Sequence, residues 1–169
     1  MYIKRLSKGY LGLLKEDIEM FCFEYHEMHA AMDILAGNIR SHPTPILQLF
    51  PITKGGDVPA VRLSHVLGEM EIIHREERIT DDTFVLDEII HSGRTLMELK
   101  EWLVKRKVRP VFGAWISWED MQENIVDYLV CRLQKRGGKK CPVKLPWETE
   151  ESALKSFLRS EEYLQRSGA

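Results

Sequence analysis

Three of the 169 residues are cysteine, Cys22, Cys131 and Cys141, and they show neither paired spacing nor a CxxC motif. That scarcity argues against a disulfide framework and a thiolate zinc site, and leaves reduced thiols in a reducing compartment. Also missing are an apolar run long enough to span a bilayer and a cationic start followed by an apolar signal core, so a cytoplasmic location is expected and a membrane is not. Charge of one sign is lacking too: 24 basic and 26 acidic residues leave a net charge of −2. Such a balance speaks against a generally basic nucleic-acid binder. The sequence has no internal repeat, no low-complexity segment and no HExxH pattern. What remains is long enough to bury one sizeable core and too short for a second catalytic domain, so one domain over 1–169 is expected.

Alternating helix and strand signals organise that domain. A helix is expected over 24–41, where Met28, Ala31, Met32, Leu35, Ala36 and Ile39 fall on one face. His26 and His29 stand one turn apart on it, but no third ligand accompanies them and they read as surface or satisfied histidines. Pro43 and Pro45 stop the helix, 46–52 reads as a buried strand, and Asp57 and Pro59 open a second helix that ends near Gly68. A short strand at 70–73, polar linkage at 74–82, strands at 108–116 and 126–133, and a C-terminal helix in 149–169 with Leu154, Phe157 and Leu158 inward complete the chain. Residues 1–23 read as a variable lead-in, and the glycine turn at 135–140 as a solvated basic hairpin. The order predicts an α/β fold: a doubly wound, mainly parallel sheet flanked by helices, with ligands outside the carboxyl ends of the strands.

The stretch from Thr83 to Thr95 carries the chemistry. Phe84, Val85 and Leu86 suit a buried parallel strand, and Asp87 and Glu88 stand where that apolar run ends, at the sheet's carboxyl edge. Ser92, Gly93, Arg94 and Thr95 then lead into Leu96, Leu99 and Leu103 at helical spacing, so backbone N–H groups point outward from a helix N-terminus as an anion cradle. The acidic pair offers hard oxygen ligands for sugar hydroxyls or a hydrated Mg²⁺. A strand-to-helix turn capped by Ser92 would use the same residue types with no ligand at all. The same two readings apply to Gly55 and Gly56, which let backbone approach a ligand or take positive φ, with the charge of Lys54 suited to a diphosphate.

Taken together, Asp87, Glu88, Ile89, Ile90, Ser92, Gly93 and Thr95 fit the phosphoribosyl pyrophosphate (PRPP) motif of the type I phosphoribosyltransferases. Gly55, Gly56, Asp57, Val58 and Pro59 are similar to the pyrophosphate loop of that family's xanthine-guanine members, with Lys54 in place of an Arg. The resemblance covers roughly 24–148. It implies the type I phosphoribosyltransferase fold and a PRPP-dependent transferase of purine salvage, moving a 5-phosphoribosyl group to a nucleobase-like acceptor with release of pyrophosphate. Mg²⁺ is the implied cofactor and a homodimer the expected assembly; neither a membrane nor a nucleic acid is expected as partner.

Residue by residue, the resemblance implies a 5′-phosphate site at His91, Ser92, Gly93, Arg94 and Thr95, with Gly93 leaving room for phosphate against the backbone. It gives Asp87 and Glu88 to ribose or Mg²⁺, and Lys54, Gly55 and Gly56 to pyrophosphate. His91 occupies the place of the purine enzymes' proton-handling Asp, and with Asp87 and Glu88 forms the expected catalytic set. Ser117 stands in the slot of a base-reading Lys, and Leu145-Pro-Trp-Glu148 is similar to the Gln-Pro-Trp-Asp near the end of xanthine-guanine enzymes. Ser117, Trp118 and Trp147 are therefore the base-binding candidates. The family's long mobile hood does not fit between Gly68 and Asp82. A short or absent hood, His91 and Ser117 also suit a non-catalytic PRPP- or nucleotide-binding regulatory module of the same fold.

Overall fold

The structure, a computed structural model, describes residues 1–12, 17–52, 55–122 and 124–167. In chain order its strands are β1 (Tyr2–Leu6), β2 (Ile18–Cys22), β3 (Gln48–Pro51), β4 (Glu71–Ile72), β5 (Thr83–Ile90), β6 (Val111–Trp118), β7 (Tyr128–Leu133) and β8 (Val143–Lys144); its helices are α1 (Tyr25–Arg40), α2 (Asp57–Val66), α3 (Arg94–Lys105) and α4 (Glu150–Ser167). The chain divides into two compact units, Met1–Met28 with Gln134–Ala169, and His29–Leu133.

Unit His29–Leu133 is the α/β body that the apolar runs predict. Its five strands lie in the order β4-β3-β5-β6-β7, and every neighbouring pair is parallel. From β3 the chain steps outward to β4 through α2, and from β5 it steps the other way to β6 through α3. With right-handed crossovers, that reversal sends α2 and α3 to opposite faces and leaves a crevice between the ends of β3 and β5. Side-chain alternation fits this arrangement. Phe50, Val85, Phe112 and Ala114 join Leu96, Leu99 and Leu103 of α3 in one core cluster. Leu49, Phe84, Leu86 and Trp115, one residue out of step, are buried as well, as are Met32, Leu35, Ala36 and Ile39 of α1 and Ala60 and Leu63 of α2. His26 and His29 are exposed.

β3 and β6 start later than their apolar runs, as does β7, which begins at Tyr128 although Val126 is buried. β3 begins at Gln48 although Ile46 is buried, and β6 begins at Val111, because Lys107 takes a φ of 59° and Pro110 has no N–H to give a ladder. Within β6, Gly113 is demanded by packing: a Cβ there would fall into the ring of Phe84, which itself stacks on Tyr128 at a centroid distance of 6.4 Å. Gly113→Ala should destabilise the protein by about 1–3 kcal/mol through overpacking. Urea denaturation checks this, and an unchanged midpoint would mean that the Phe84 ring yields freely.

Residues 73–82, between β4 and β5, form a tight return rather than an open loop. Ile73 and Ile79 are buried, and Ile73 N donates to Leu49 O at 2.8 Å. Gln48 donates to Arg78 O and Thr80 Oγ1, Asp81 accepts from Arg109 N at 2.7 Å, and Arg106 donates to the carbonyls of Glu76 and Glu77. The Arg106 guanidinium also lies 4.4 Å from the Trp102 ring centroid. The interval where the resemblance would place a hood is thus fastened down at both ends.

Unit Met1–Met28 with Gln134–Ala169 holds a smaller sheet, β1-β2-β8, with β1 antiparallel and β8 parallel to β2. Residues of the expected lead-in therefore supply two of its strands. Leu6, Met20 and Cys22 pack with Ala153 and Leu154 of α4, against which Leu158 is partly buried. Lys4 Nζ and Tyr10 OH both donate to the Glu150 carboxylate, and Thr149 caps α4 by accepting from Ser152 N at 3.1 Å. The basic turn is a hairpin tip: Arg136 and Lys139 bridge around Gly137 and Gly138, whose φ values of 58° and 78° suit a two-glycine turn. All three cysteines are free, and no helix among the described residues is long and apolar enough to cross a membrane.

Candidate active site

The crevice follows from unequal strand lengths. β3 pairs with β5 only as far as Pro51 opposite Leu86, with Ile52 N donating to Leu86 O at 2.8 Å. On its other side β5 stays paired with β6 through Ile90 opposite Ser117. Asp87 and Glu88 are expected at a strand end; instead they lie inside β5, yet they project past the end of β3. The two carboxyl groups lie close enough to share a hydrogen bond.

Asp87 is 8% exposed. Burial, then the charge of Glu88 and a hydrogen bond with it, push the Asp87 carboxyl well above its ordinary range, while the N–H groups of Ile89 and Glu88 pull the other way. Glu88 is half-buried, and its carboxylate fills the place where a Cβ on Gly55 would be. Gly56 is equally confined, its Cβ position lying 2.9 Å from Ile52 O. The glycine loop after β3 and the acidic pair in β5 thus meet in space; at Gly56 the obstacle is backbone, while at Gly55 it is the movable end of the Glu88 side chain. Lys54 lies outside the described residues.

Beyond β5, His91, Ser92 and Gly93 turn the chain into α3. Gly93 is the N-cap, in the left-handed region at φ 72°, and no side chain caps the helix; Ser92 Oγ accepts only a long 3.4 Å bond from Arg94 N. The first-turn N–H groups consequently open outward. Ser92, Arg94 and Thr95 are exposed and His91 is half-buried. Arg94 Nε donates along the helix to Glu98 at 2.6 Å. A Cβ on Gly93 would meet Met121 Cε at 2.8 Å and overlap Ile125 Cδ1. Its φ and the segment packed behind it already favour glycine here, before any ligand is considered.

Ser117 and Trp118, at the end of β6, are 1% and 0% exposed. A base would reach them only by displacing packed side chains. Trp147 belongs to the other unit and is half-buried in a turn closed by Leu145 N donating to the Glu148 carboxylate at 2.9 Å. Next to Thr95 a cavity of about 420 Å³ opens along α3, lined by Phe50, Ile52, Leu99 and Trp102 with Glu76 and Glu98 at its polar side. No local pattern marks Met121 and Ile125 as the backing of the proposed phosphate turn, because that contact joins segments about thirty residues apart. No group of three or more His, Cys, Asp or Glu among the described residues is placed to hold a metal. The carboxylate pair still fits Mg²⁺, which takes one or two carboxylates and fills its remaining positions with water and phosphate oxygens.

Comparison of the sequence with protein-family models and with curated proteins gives no match. The structure does have relatives. It is similar to a purine phosphoribosyltransferase from Pyrococcus horikoshii, at TM-score 0.61 and 21% identity over 77% of this chain and 94% of that one. A Helicobacter pylori xanthine-guanine-hypoxanthine phosphoribosyltransferase is similar at TM-score 0.57 and 18% identity, covering 81% of this chain and 99% of that one. So is a hypothetical protein from Neisseria gonorrhoeae with bound ppGpp, at TM-score 0.57 and 16% identity over 89% and 97%. The fold is that of the type I phosphoribosyltransferases. Within it, the purine enzymes are among the structures this chain resembles.

Proposed function

We propose that this chain is a PRPP-dependent phosphoribosyltransferase acting on a nucleobase-like acceptor, with a purine favoured, and releasing pyrophosphate. The observation that carries this reading is the contact of the Glu88 carboxylate with Gly55, which brings the acidic pair against the glycine loop at the crevice. In this assignment the 5′-phosphate sits on the turn from His91 to Thr95, on convergent N–H groups and the Ser92 and Thr95 hydroxyls. Asp87 and Glu88 hold the ribose 2′- and 3′-hydroxyls, and Lys54, Gly55 and Gly56 hold the pyrophosphate. An acceptor nitrogen attacks the ribose anomeric carbon, the bond from that carbon to the pyrophosphate oxygen breaks, and His91 takes the proton from the acceptor. Asp87 and Glu88 would hold Mg²⁺, which when bound would supply positive charge against the departing pyrophosphate. Ser117 and Trp118 are the base-side candidates in the unit His29–Leu133, and Trp147 a separate candidate in the other. Packed side chains would have to shift before a base reached the first two. We further assign the protein to the cytoplasm, as a homodimer.

The test is pyrophosphate release with PRPP, Mg²⁺ and a panel of purines, pyrimidines and related heterocycles. Turnover with one purine is expected. His91→Ala should lose turnover by on the order of a hundredfold with little change in PRPP affinity, and the rise of activity with pH through the histidine range should vanish. Wild-type turnover and an unaltered pH profile would remove His91 from the chemistry.

A second reading, a regulatory module that binds PRPP or a nucleotide without turnover, is favoured by the fastened 73–82 return, which leaves no hood in that interval. A relative of matching length holds ppGpp. Tight binding of PRPP or ppGpp by calorimetry, with no release from any acceptor, would decide for it.

A further inference from the structure

Lys100 lies on α3 seven residues after Gly93, two turns from the phosphate turn and outside the residues assigned to any ligand. Its ammonium is half-buried, stands 4.7 Å from the Phe112 ring centroid and donates to Ile125 O at 2.5 Å. Burial pushes this amine down from the usual lysine range, and the charge of Asp127 opposes that shift. The Asp127 carboxylate is in turn fixed by Phe112 N at 2.8 Å. An aliphatic side chain would cover Phe112 without desolvating a charge, so the ammonium is an expensive way to fill this space. What the charge adds is a short, directional bond to one backbone carbonyl.

That carbonyl belongs to the residue whose side chain backs Gly93. Between β6 and β7, residues 119–122 and 124–127 carry no regular structure. Met121 and Ile125 nevertheless press against the left-handed N-cap of α3. We propose that Lys100 is a positioning residue for the anion cradle: by tying Ile125 to α3, it holds Ile125 and, with it, Met121 behind Gly93 and so keeps the N–H groups of 92–96 aimed at one point. This deepens the proposed function and rests on it only for the identity of the anion. A cradle works by having its donors fixed before the ligand arrives, and the Lys100 bond joins the helix that supplies the donors to the segment that supports their turn.

Lys100→Met keeps the stem and removes the donors; Arg106→Met loosens the far end of α3, away from the cradle. Calorimetry with ribose 5-phosphate should show roughly tenfold weaker binding in Lys100→Met, as for a lost charged hydrogen bond, and unchanged binding in Arg106→Met even if both lower the melting temperature alike. Parental affinity in Lys100→Met, or an equal loss in Arg106→Met, would overturn the assignment. Should the parent protein not bind ribose 5-phosphate, the proposed function fails separately. Amide hydrogen exchange then decides for Lys100: exchange at 91–97 faster in Lys100→Met than in the parent and in Arg106→Met supports the role, and unchanged exchange there removes it.

Discussion

Replacing Asp87 with Asn and Glu88 with Gln together should abolish the Mg²⁺-dependent part of PRPP binding and take turnover below detection. The two carboxyl groups are the only acidic side chains assigned to the ribose, and neutral amides are poor ligands for a hard cation. Calorimetry with and without Mg²⁺ measures the effect; metal-dependent affinity surviving in the double variant would make the pair structural. Stability should move the opposite way. The folded protein favours protonated Asp87, so its contribution to stability falls as pH rises from the unfolded carboxyl value, about 3.9, through the raised folded value. At neutral pH a buried charge, or a proton taken up to avoid it, opposes folding. Asp87→Asn alone should therefore raise the melting temperature of the ligand-free protein at pH 7 and flatten its dependence on pH. A residue that costs stability and is placed in a crevice is what a binding role would retain.

Gly93→Val should be the most damaging single change in the phosphate turn. A β-branched residue at φ 72° bears left-handed strain, and its Cβ would overlap Ile125 and crowd Met121. Strain of about 1–2 kcal/mol and overpacking of about 1–3 kcal/mol act together. Ile125 Cδ1 and Met121 Cε can shift to ease the overlap, but the left-handed strain is relieved only by rotating the turn, which turns the N–H groups away from their common point. Ribose 5-phosphate affinity should drop more than a hundredfold in variant protein shown by circular dichroism to be folded. Gly93→Ala, with the same backbone demand and no branch, should fall between the two. Unchanged affinity in Gly93→Val would place the phosphate elsewhere.

Legibility from sequence followed contiguity. Phe84 through Thr95 reads as strand, acidic pair, turn and helix because each step depends on neighbours within a few residues; the turn and α3 lie where that reading puts them, while β5 runs on past the acidic pair to Ile90. The apolar stripe of α1 and the glycine after α2 were legible for the same reason. β1 and β2 were not. They pair across an intervening stretch of sequence, and β1 exposes most of its side chains, so no local pattern separates it from a loop.

The sequence by itself determined the elements of the crevice and the residue types at its rim, since period and turn chemistry are local properties. Tertiary structure decided where they go. The strand order places the reversal between β3 and β5, the shortness of β3 leaves Asp87 and Glu88 projecting beyond it, and packing across about thirty residues sets Glu88 on Gly55 and Ile125 on Gly93. Contacts of that separation depend on the closing of loops and on the fit of side chains in three dimensions, neither of which leaves a mark in any short window of sequence.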